Sequence, residues 1–544
     1  MPGESPKAGK SELFARLAEG LAAGITVVTP NRRLARALKA EFDRFQIAKG
    51  LAVWEDADIL PLESFVERLY EDSLYADPSA GQPQLLSHAQ EQALWESVIG
   101  KSTLLATSET AAECAKAWKL AQQWRIAGFL GSEKFLLNDD IRTFARWSAE
   151  YVQRCAKENW IDHARLPDRK QGLFEKKPKL LVAYGFDVVA PQTKEFLKGF
   201  EVAVSKKEIT KAKLQKTLFP SARHELEAAA KWARAQVEKG ARRVGLVVPQ
   251  LAQRRREVLR VFARAGVPVD VSLGEPLASY PVVDFALSLI GFSIEEKPFE
   301  ETSKLIRSPF LGGAETEFAA RARLDARLRR KLGAQVSLAK LIGEVEVCPV
   351  LRIHLEKIFE IRKKAENKSQ SPFAWAQAFT AILEAAGFPG ERGLDSNEYQ
   401  ARVKLNDVLG EFSRLGVVTS RLSPQEALKQ LRYLCASALF QPEATEAPVQ
   451  ALGILESAGL EFDALWVSGL TEEAWPLAAR PNPFLPVVAQ KEAGIPQASA
   501  EASLAHDRRI TEGWAGAAKE VVFSSYEKEE DRELLPSPLI AAVP

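Results

Sequence analysis

The sequence predicts an α/β protein whose parallel sheets are interrupted by helical blocks, and three observations carry that reading. Short apolar runs without polar alternation recur at residues 25–30, 180–186, 243–249, 464–470 and 520–526. Strands covered on both faces of a parallel sheet have this continuous character. Segments of helical periodicity follow these runs. Two long stretches, residues 85–166 and 299–440, carry helical periodicity with almost no strand signal. The order is therefore α/β, helical, α/β, helical, α/β.

Taken in order, ITVVTP at 25–30 reads as a strand that stops at Pro30, followed by a helix with Leu34, Leu38, Phe42 and Phe45 on one face. LLVAYGF, RVGLVVP, ALWVSGL and EVVFSSY read the same way as ITVVTP. A helix is expected over 222–239, with Ser221 as N-cap, a stripe of Leu226, Ala229, Ala233 and Val237, and Gly240 just past its end. Pro309, Pro349, Pro372, Pro389 and Pro424 break the second helical stretch.

At 544 residues the chain exceeds a single core, and roughly two to four domains are expected. Lys+Arg 73 against Asp+Glu 72 leaves almost no net charge. Nucleic-acid binding would have to come from a local groove rather than from the whole surface. Cys114, Cys155, Cys348 and Cys435 are scattered and form no cluster with histidine, so no metal is expected and the thiols read as buried and reduced. His88, His163, His224, His354 and His506 share no motif with a nucleophile. Trp95, Trp118, Trp124 and Trp147 lie in helical stripes and read mainly as core. The polar start MPGESPKAGKSE is no signal peptide, and no apolar run reaches the roughly 18 residues of a membrane span. A cytoplasmic protein is expected.

Residues 449–476, VQALGILESAGLEFDALWVSGLTEEAWP, resemble motif V of superfamily 1 DNA helicases of the UvrD/RecB kind, with Gly459, Leu460, Glu461, Phe462, Gly469, Leu470 and Pro476 in the matching places. The resemblance implies two RecA-like parallel-sheet domains, each with a large helical insertion. The first domain would take residues 1–84 and 167–215, with its insertion at 85–166. The second would take 216–298 and 445–544, with its insertion at 299–444.

Such a fold implies an ATP site, and its parts are read here as dismantled. A phosphate-binding loop needs a strand entering G-x-x-x-x-G-K-[ST]. Gly9, Lys10 and Ser11 give the tripeptide, but Gly3 upstream stands one residue too far and no strand precedes it. Where relatives carry two magnesium-binding acids, Ala183 and Tyr184 follow Val182, while Phe186, Asp187 and Gln192 resemble the rest. The segment at 244–269 resembles motif IV through Ala252, Gln253, Arg255, Gly266 and Pro268. There the adenine-stacking Tyr falls on Val248 and the phosphate-reaching Arg on Pro249. The motif VI arginine, a group worth roughly 10³–10⁵ in rate, falls on Gly516. Lys10, Ser11, Asp187, Gln192 and Glu461 are thus the expected remnant of a nucleotide site, with no catalytic residue, cofactor or metal.

TPNRRLARALK at 29–39 resembles motif Ia, whose strand-to-helix turn touches single-stranded DNA. Thr29 and Asn31 would bond phosphates, with Arg32, Arg33, Arg36 and Lys39 beside them; a solvated basic face is the plain alternative. Arg254, Arg255 and Arg256 with Arg260 form a second basic cluster, and Arg321 to Lys331 a third. In the motif V turn Glu456 would repel phosphate.

TPNRRLAR, DILPLESFVERLY, LLSHAQEQALWESVI, GFDVVAPQ, SLGEPLASYP, IRSPFL and PNPFLP together resemble an AddB-like family of DNA repair proteins, akin to RecC. The expected function is a catalytically inactive helicase-like protein that binds single-stranded DNA or duplex ends and guides DNA for a nuclease domain or partner. The nuclease domain of the PD-(D/E)XK type that such proteins carry would begin about where this sequence stops. An active ATP-dependent helicase using Lys10 and Asp187, and a protein scaffold without DNA contact, are the rival readings.

Overall fold

A computed structural model describes residues 9–76, 81–100, 107–132, 138–169, 177–205, 212–272, 274–365, 368–442 and 447–544. Gly3 lies outside the described residues. The chain forms two compact units, Met1–Leu86 with Thr110–Leu273 and Thr445–Pro544, and Ser87–Glu109 with Gly274–Ala444.

The first unit is mixed α/β. Helix α1 (Lys10–Leu17) leads to strand β1 (Ile25–Thr29), helix α2 (Arg32–Ala48), strand β2 (Ile59–Pro61) and helix α3 (Leu62–Ala76). Helices α4 (Thr107–Gln123) and α5 (Asp139–Lys157) intervene before β3 (Leu180–Tyr184), α6 (Pro191–Leu197) and β4 (Val202–Ser205). These strands make a parallel four-stranded sheet in the order β2-β1-β3-β4, with Val27 opposite both Ile59 and Val182.

The second sheet is built from β5 (Lys213–Ser221), β6 (Val244–Val247), β7 (Val269–Val271), β8 (Val449–Leu452), β9 (Ala464–Val467), β10 (Glu520–Glu529) and β11 (Arg532–Glu533). Its order is β11-β10-β9-β6-β8-β7, with β5 also paired to β10; every pairing is parallel except β10 with β11. Helix α7 (Ala222–Glu238) and helix α8 (Leu251–Ala265) flank β6, and α9 (Ala500–Ala515) precedes β10. All four residues of β6 and of β9 are buried, which is why they read as unbroken apolar runs. Strand β5 was not foreseen: KLQKTLFPS alternates between half-buried and exposed positions and carries no continuous apolar signal. The α7 start is as expected, the Ser221 hydroxyl accepting from the His224 amide, and Gly240 takes the left-handed conformation (φ 96°) at its end.

One core joins the two sheets of this unit, with Val27, Leu34, Phe42 and Val182 in the same cluster as Val247, Leu452, Phe462 and Leu465. Helix α1 is pinned to it by Leu13, Phe14 and Leu17. The Phe14 ring lies 5.9 Å from Phe42 and 5.7 Å from Phe45. Side chains of this kind stabilise by roughly 1.5–3 kcal/mol each when buried, enough to hold an eight-residue helix that is too short to form alone.

The second unit is helical. Pro349, Pro372 and Pro424 each open a helix, the position where a missing amide hydrogen costs nothing. Trp375, Phe379 and Phe412 stack in its core at 5.6 and 5.9 Å. Residues 87–109 belong to this unit, although the sequence placed all of 85–166 in one insertion. The helix His88–Ile99 buries Ala89 and Ala93 in the 274–444 core, and the Gln90 amide donates to the Arg414 carbonyl at 2.8 Å. Arg321, read from sequence as part of a basic cluster, is only 2% exposed. It pairs with Glu317, which also accepts from the Val350 and Leu351 amides at 2.7 and 3.0 Å. All four cysteines are buried thiols outside any disulfide, and burial pushes the Cys114 and Cys435 thiols up to about 12. No helix among the described residues is long and apolar enough to cross a membrane.

Candidate nucleic-acid interface and nucleotide remnant

Helix α1 begins at Lys10, with Gly9 in extended conformation as its N-cap. The Lys10 ammonium is ion-paired to Glu41 of α2 and, at 2.9 Å, to Glu461 in the turn before β9. Glu41 is shared with Arg243, whose Nη1 lies 2.7 Å away. Burial works against the Lys10 charge, but Glu41, Tyr184 and Glu461 outweigh it, so the ammonium titrates above its ordinary range. Tyr184 is pushed up to about 12 by burial, reinforced by Glu461 and Glu41 and opposed by Lys10. The lysine that would hold a triphosphate therefore sits between two carboxylates beside a phenol that stays neutral.

The rest of the remnant does not assemble around it. Ser11 is exposed on α1, and Asp187 is exposed beyond the end of β3. Gln192 is buried in another role, its amide donating to the Ala164 carbonyl at 2.7 Å and to Asp168 at 2.9 Å. Glu41 and Arg243 went unread in the sequence, because nothing in it pairs a helix residue with one at a strand start 202 positions away.

The turn into α2 is organised from within. Thr29 has no exposed surface and its hydroxyl donates to the Asn31 carbonyl at 2.8 Å. The phosphate contact expected of it is corrected by that complete burial: Thr29 shapes the turn. Asn31 caps α2, its side chain accepting from the Leu34 amide at 2.9 Å. Lys39 pairs with Asp56 at 2.7 Å. Arg33 donates to the Ser272 carbonyl; burial draws its guanidinium below the ordinary range, against Glu456 and Asp270 nearby. Glu456, expected to repel phosphate, is thus close enough to the Arg33 guanidinium to favour its charge. Arg32 and Arg36 are exposed and hold no ion pair or hydrogen bond among the described residues. On α8, Arg254 pairs with Glu257 at 3.0 Å, and Arg255 donates to the Val271 carbonyl at 3.4 Å.

A pocket of about 780 Å³ opens where β1, β2 and β3 end, at Pro30, Leu62 and Phe186. Ligands of open parallel sheets bind outside these carboxyl ends. Trp124 and Asn482 line it, as does Leu455, the neighbour of Glu456. Trp95, Trp118 and Trp147 are core residues, whereas Trp124 is half-buried on this wall. The PNPFLP loop at 481–486 is fixed by Gln490, which is fully buried, donates to the Asn482 and Leu485 carbonyls and accepts from the Asn482 amide. Nothing in the sequence marked this pocket, since its walls come from segments hundreds of residues apart.

Compared with known proteins, the chain matches no family model and no curated sequence.

Proposed function

We propose that this chain is a helicase-fold protein without ATPase chemistry that binds single-stranded DNA or duplex ends in repair or recombination, guiding the strand for a nuclease domain or partner subunit. On this reading the four-stranded and seven-stranded sheets are the cores of two RecA-like domains, and the helical stretches between their strands are insertions, with residues 87–109 grouped with 274–444. The observation that carries it is the double pairing of Lys10 with Glu41 and Glu461. A nucleotide's phosphates need unpaired cations and a bound metal. Here a triphosphate would displace one carboxylate and confront another. With Val248, Pro249 and Gly516 at the places of the aromatic and the arginines, no group replaces what is lost.

DNA binding is supported by the exposed Arg32 and Arg36 at the start of α2, next to the pocket at the strand ends. Pro30, which directly precedes the Asn31 cap of α2, lines that pocket, so pocket and helix start adjoin. Phosphates would meet the arginines, and an unstacked base would meet the aromatic wall of Trp124 and Phe186, a contact worth roughly 1–3 kcal/mol per base.

Two titrations test the reading. Calorimetry with ATP and magnesium is expected to give no binding at micromolar nucleotide; binding that is lost in Lys10→Ala would establish the active-helicase alternative. Fluorescence anisotropy with a labelled oligothymidylate is expected to show salt-sensitive binding that weakens in Arg32→Gln/Arg36→Gln. Absence of binding at low salt would leave the scaffold reading in its place.

A further inference from the structure

The five arginines of α8 divide by direction. Arg254 and Arg255 are half-buried and committed, the first to Glu257 at 3.0 Å and the Ala222 carbonyl at 3.4 Å, the second to the Val271 carbonyl. Arg256, Arg260 and Arg264 are exposed and hold no ion pair or hydrogen bond among the described residues. Positions four apart fall on one helix face, each step rising about 6 Å. The helix has a single carboxylate, Glu257, and Arg254 has taken it.

The neighbouring helix shows what a merely solvated face looks like in this protein. On α7, Arg223 pairs with Glu227 at 3.0 Å and Arg234 with Glu238 at 2.8 Å, each four residues apart. Like charges at this spacing destabilise a helix by roughly 0.2–0.5 kcal/mol per pair. The α8 face carries that repulsion twice, between Arg256 and Arg260 and between Arg260 and Arg264, while the one acid of the helix, Glu257, is paired with Arg254.

A second observation ties this face to α2. Arg33 of α2 donates to the Ser272 carbonyl and Arg255 of α8 to the Val271 carbonyl. The two helices thus converge on successive carbonyls at the end of β7, and each also carries exposed arginines without an ion pair or hydrogen bond among the described residues: Arg32 and Arg36 on α2, Arg256, Arg260 and Arg264 on α8. We infer that the outer face of α8 is a second phosphate-binding surface, over which a single strand leaving the α2 turn continues, its backbone tracked by Arg256, Arg260 and Arg264. Steps of about 6 Å are comparable with the separation of successive phosphates in an extended single strand. The inference rests on the DNA-binding reading above and adds the path and its residues.

The experiment is anisotropy of a labelled oligothymidylate on the full chain across a series of salt concentrations. Each phosphate contact contributes about 0.7 to the slope of log affinity against log salt for single strands. Arg256→Gln/Arg260→Gln/Arg264→Gln is expected to lower the slope by about 2 and weaken low-salt binding about tenfold or more, and Arg260→Gln alone to lower the slope by about 0.7. A control that removes three positive charges elsewhere, Arg154→Gln/Arg223→Gln/Arg234→Gln, is expected to leave the slope unchanged. Wild-type binding with an unchanged slope in the α8 triple variant would overturn the inference and leave binding through α2 standing. An equal slope loss in the control would also overturn it, by reducing the effect to net charge. No binding by the wild-type chain would remove the DNA reading itself. Thermal midpoints check folding, and the α8 triple variant is expected to melt no lower than wild type, because the three exposed side chains hold no ion pair or hydrogen bond among the described residues.

Discussion

Lys10 Nζ lies 2.9 Å from Glu461 Oε2, joining residues 451 positions apart in the chain. The pair sits across the two sheets of the first unit, with Glu41 and Arg243 extending it to four charges that are each between 15% and 31% exposed. The lysine is thus held by two carboxylates at once.

Replacing it by Lys10→Met keeps the apolar stem but strands Glu461 in a partly desolvated place. The expected cost is roughly 1–3 kcal/mol, below that of a fully buried pair because water reaches these groups. Ser11→Ala, one residue on and exposed, should stay within about 0.5 kcal/mol. Denaturant unfolding of both variants measures this; equal, near-zero losses would mean that the ion network holds nothing.

Glu225 has no exposed surface. One oxygen accepts from the Gly469 amide at 2.8 Å and from the Ser524 hydroxyl at 2.6 Å, while the other has no partner among the described residues. Burial raises its carboxyl above the ordinary 4.5, against those hydrogen bonds and Arg254. The folded protein therefore holds this proton more tightly than the unfolded chain. Its contribution is fully present below about 4.5 and is lost as pH rises through the folded value. Glu225→Gln removes the dependence, so the variant should gain on wild type as pH increases above 4.5. Parallel stability–pH curves for the two proteins would refute the assignment.

Gly185 closes β3 with φ 75°, and a Cβ there would come within 2.4 Å of Leu34 Cδ2. Gly185→Ala combines backbone strain with a clash against the residue that seats α2, and should cost roughly 1–3 kcal/mol. Gly240→Ala, also at positive φ but with no atom near its Cβ, isolates the backbone part. Equal losses in the two variants would show that the contact with Leu34 is slack.

Gln490→Ala removes the three hydrogen bonds that shape the loop at 481–486. Each net bond is worth about 1 kcal/mol, and the freed backbone groups add to the loss. The expected outcome is faster hydrogen exchange in that loop, with little change in the helical unit at 274–444. Unaltered protection of residues 481–486 would show that the prolines alone hold the loop.

The amino-acid sequence by itself determined the parallel α/β class, because strands such as Val244–Val247 and Ala464–Val467 are covered on both faces and must be apolar throughout. It also determined the amphipathic helices and their caps, Ser221 and Gly240 among them, since these depend on neighbours within a turn or two. What only the tertiary structure decided is the direction and partnership of polar groups. Thr29 reads as a ligand and is enclosed; Arg254 and Arg255 read like Arg256 and turn inward; Gln192 leaves the phosphate remnant for Asp168. The Lys213–Ser221 strand, lacking an apolar run, became visible only through its pairing with Glu520–Glu529. Periodicity reports how much of a face is covered, whereas the identity of a partner depends on which distant segment the chain brings against it.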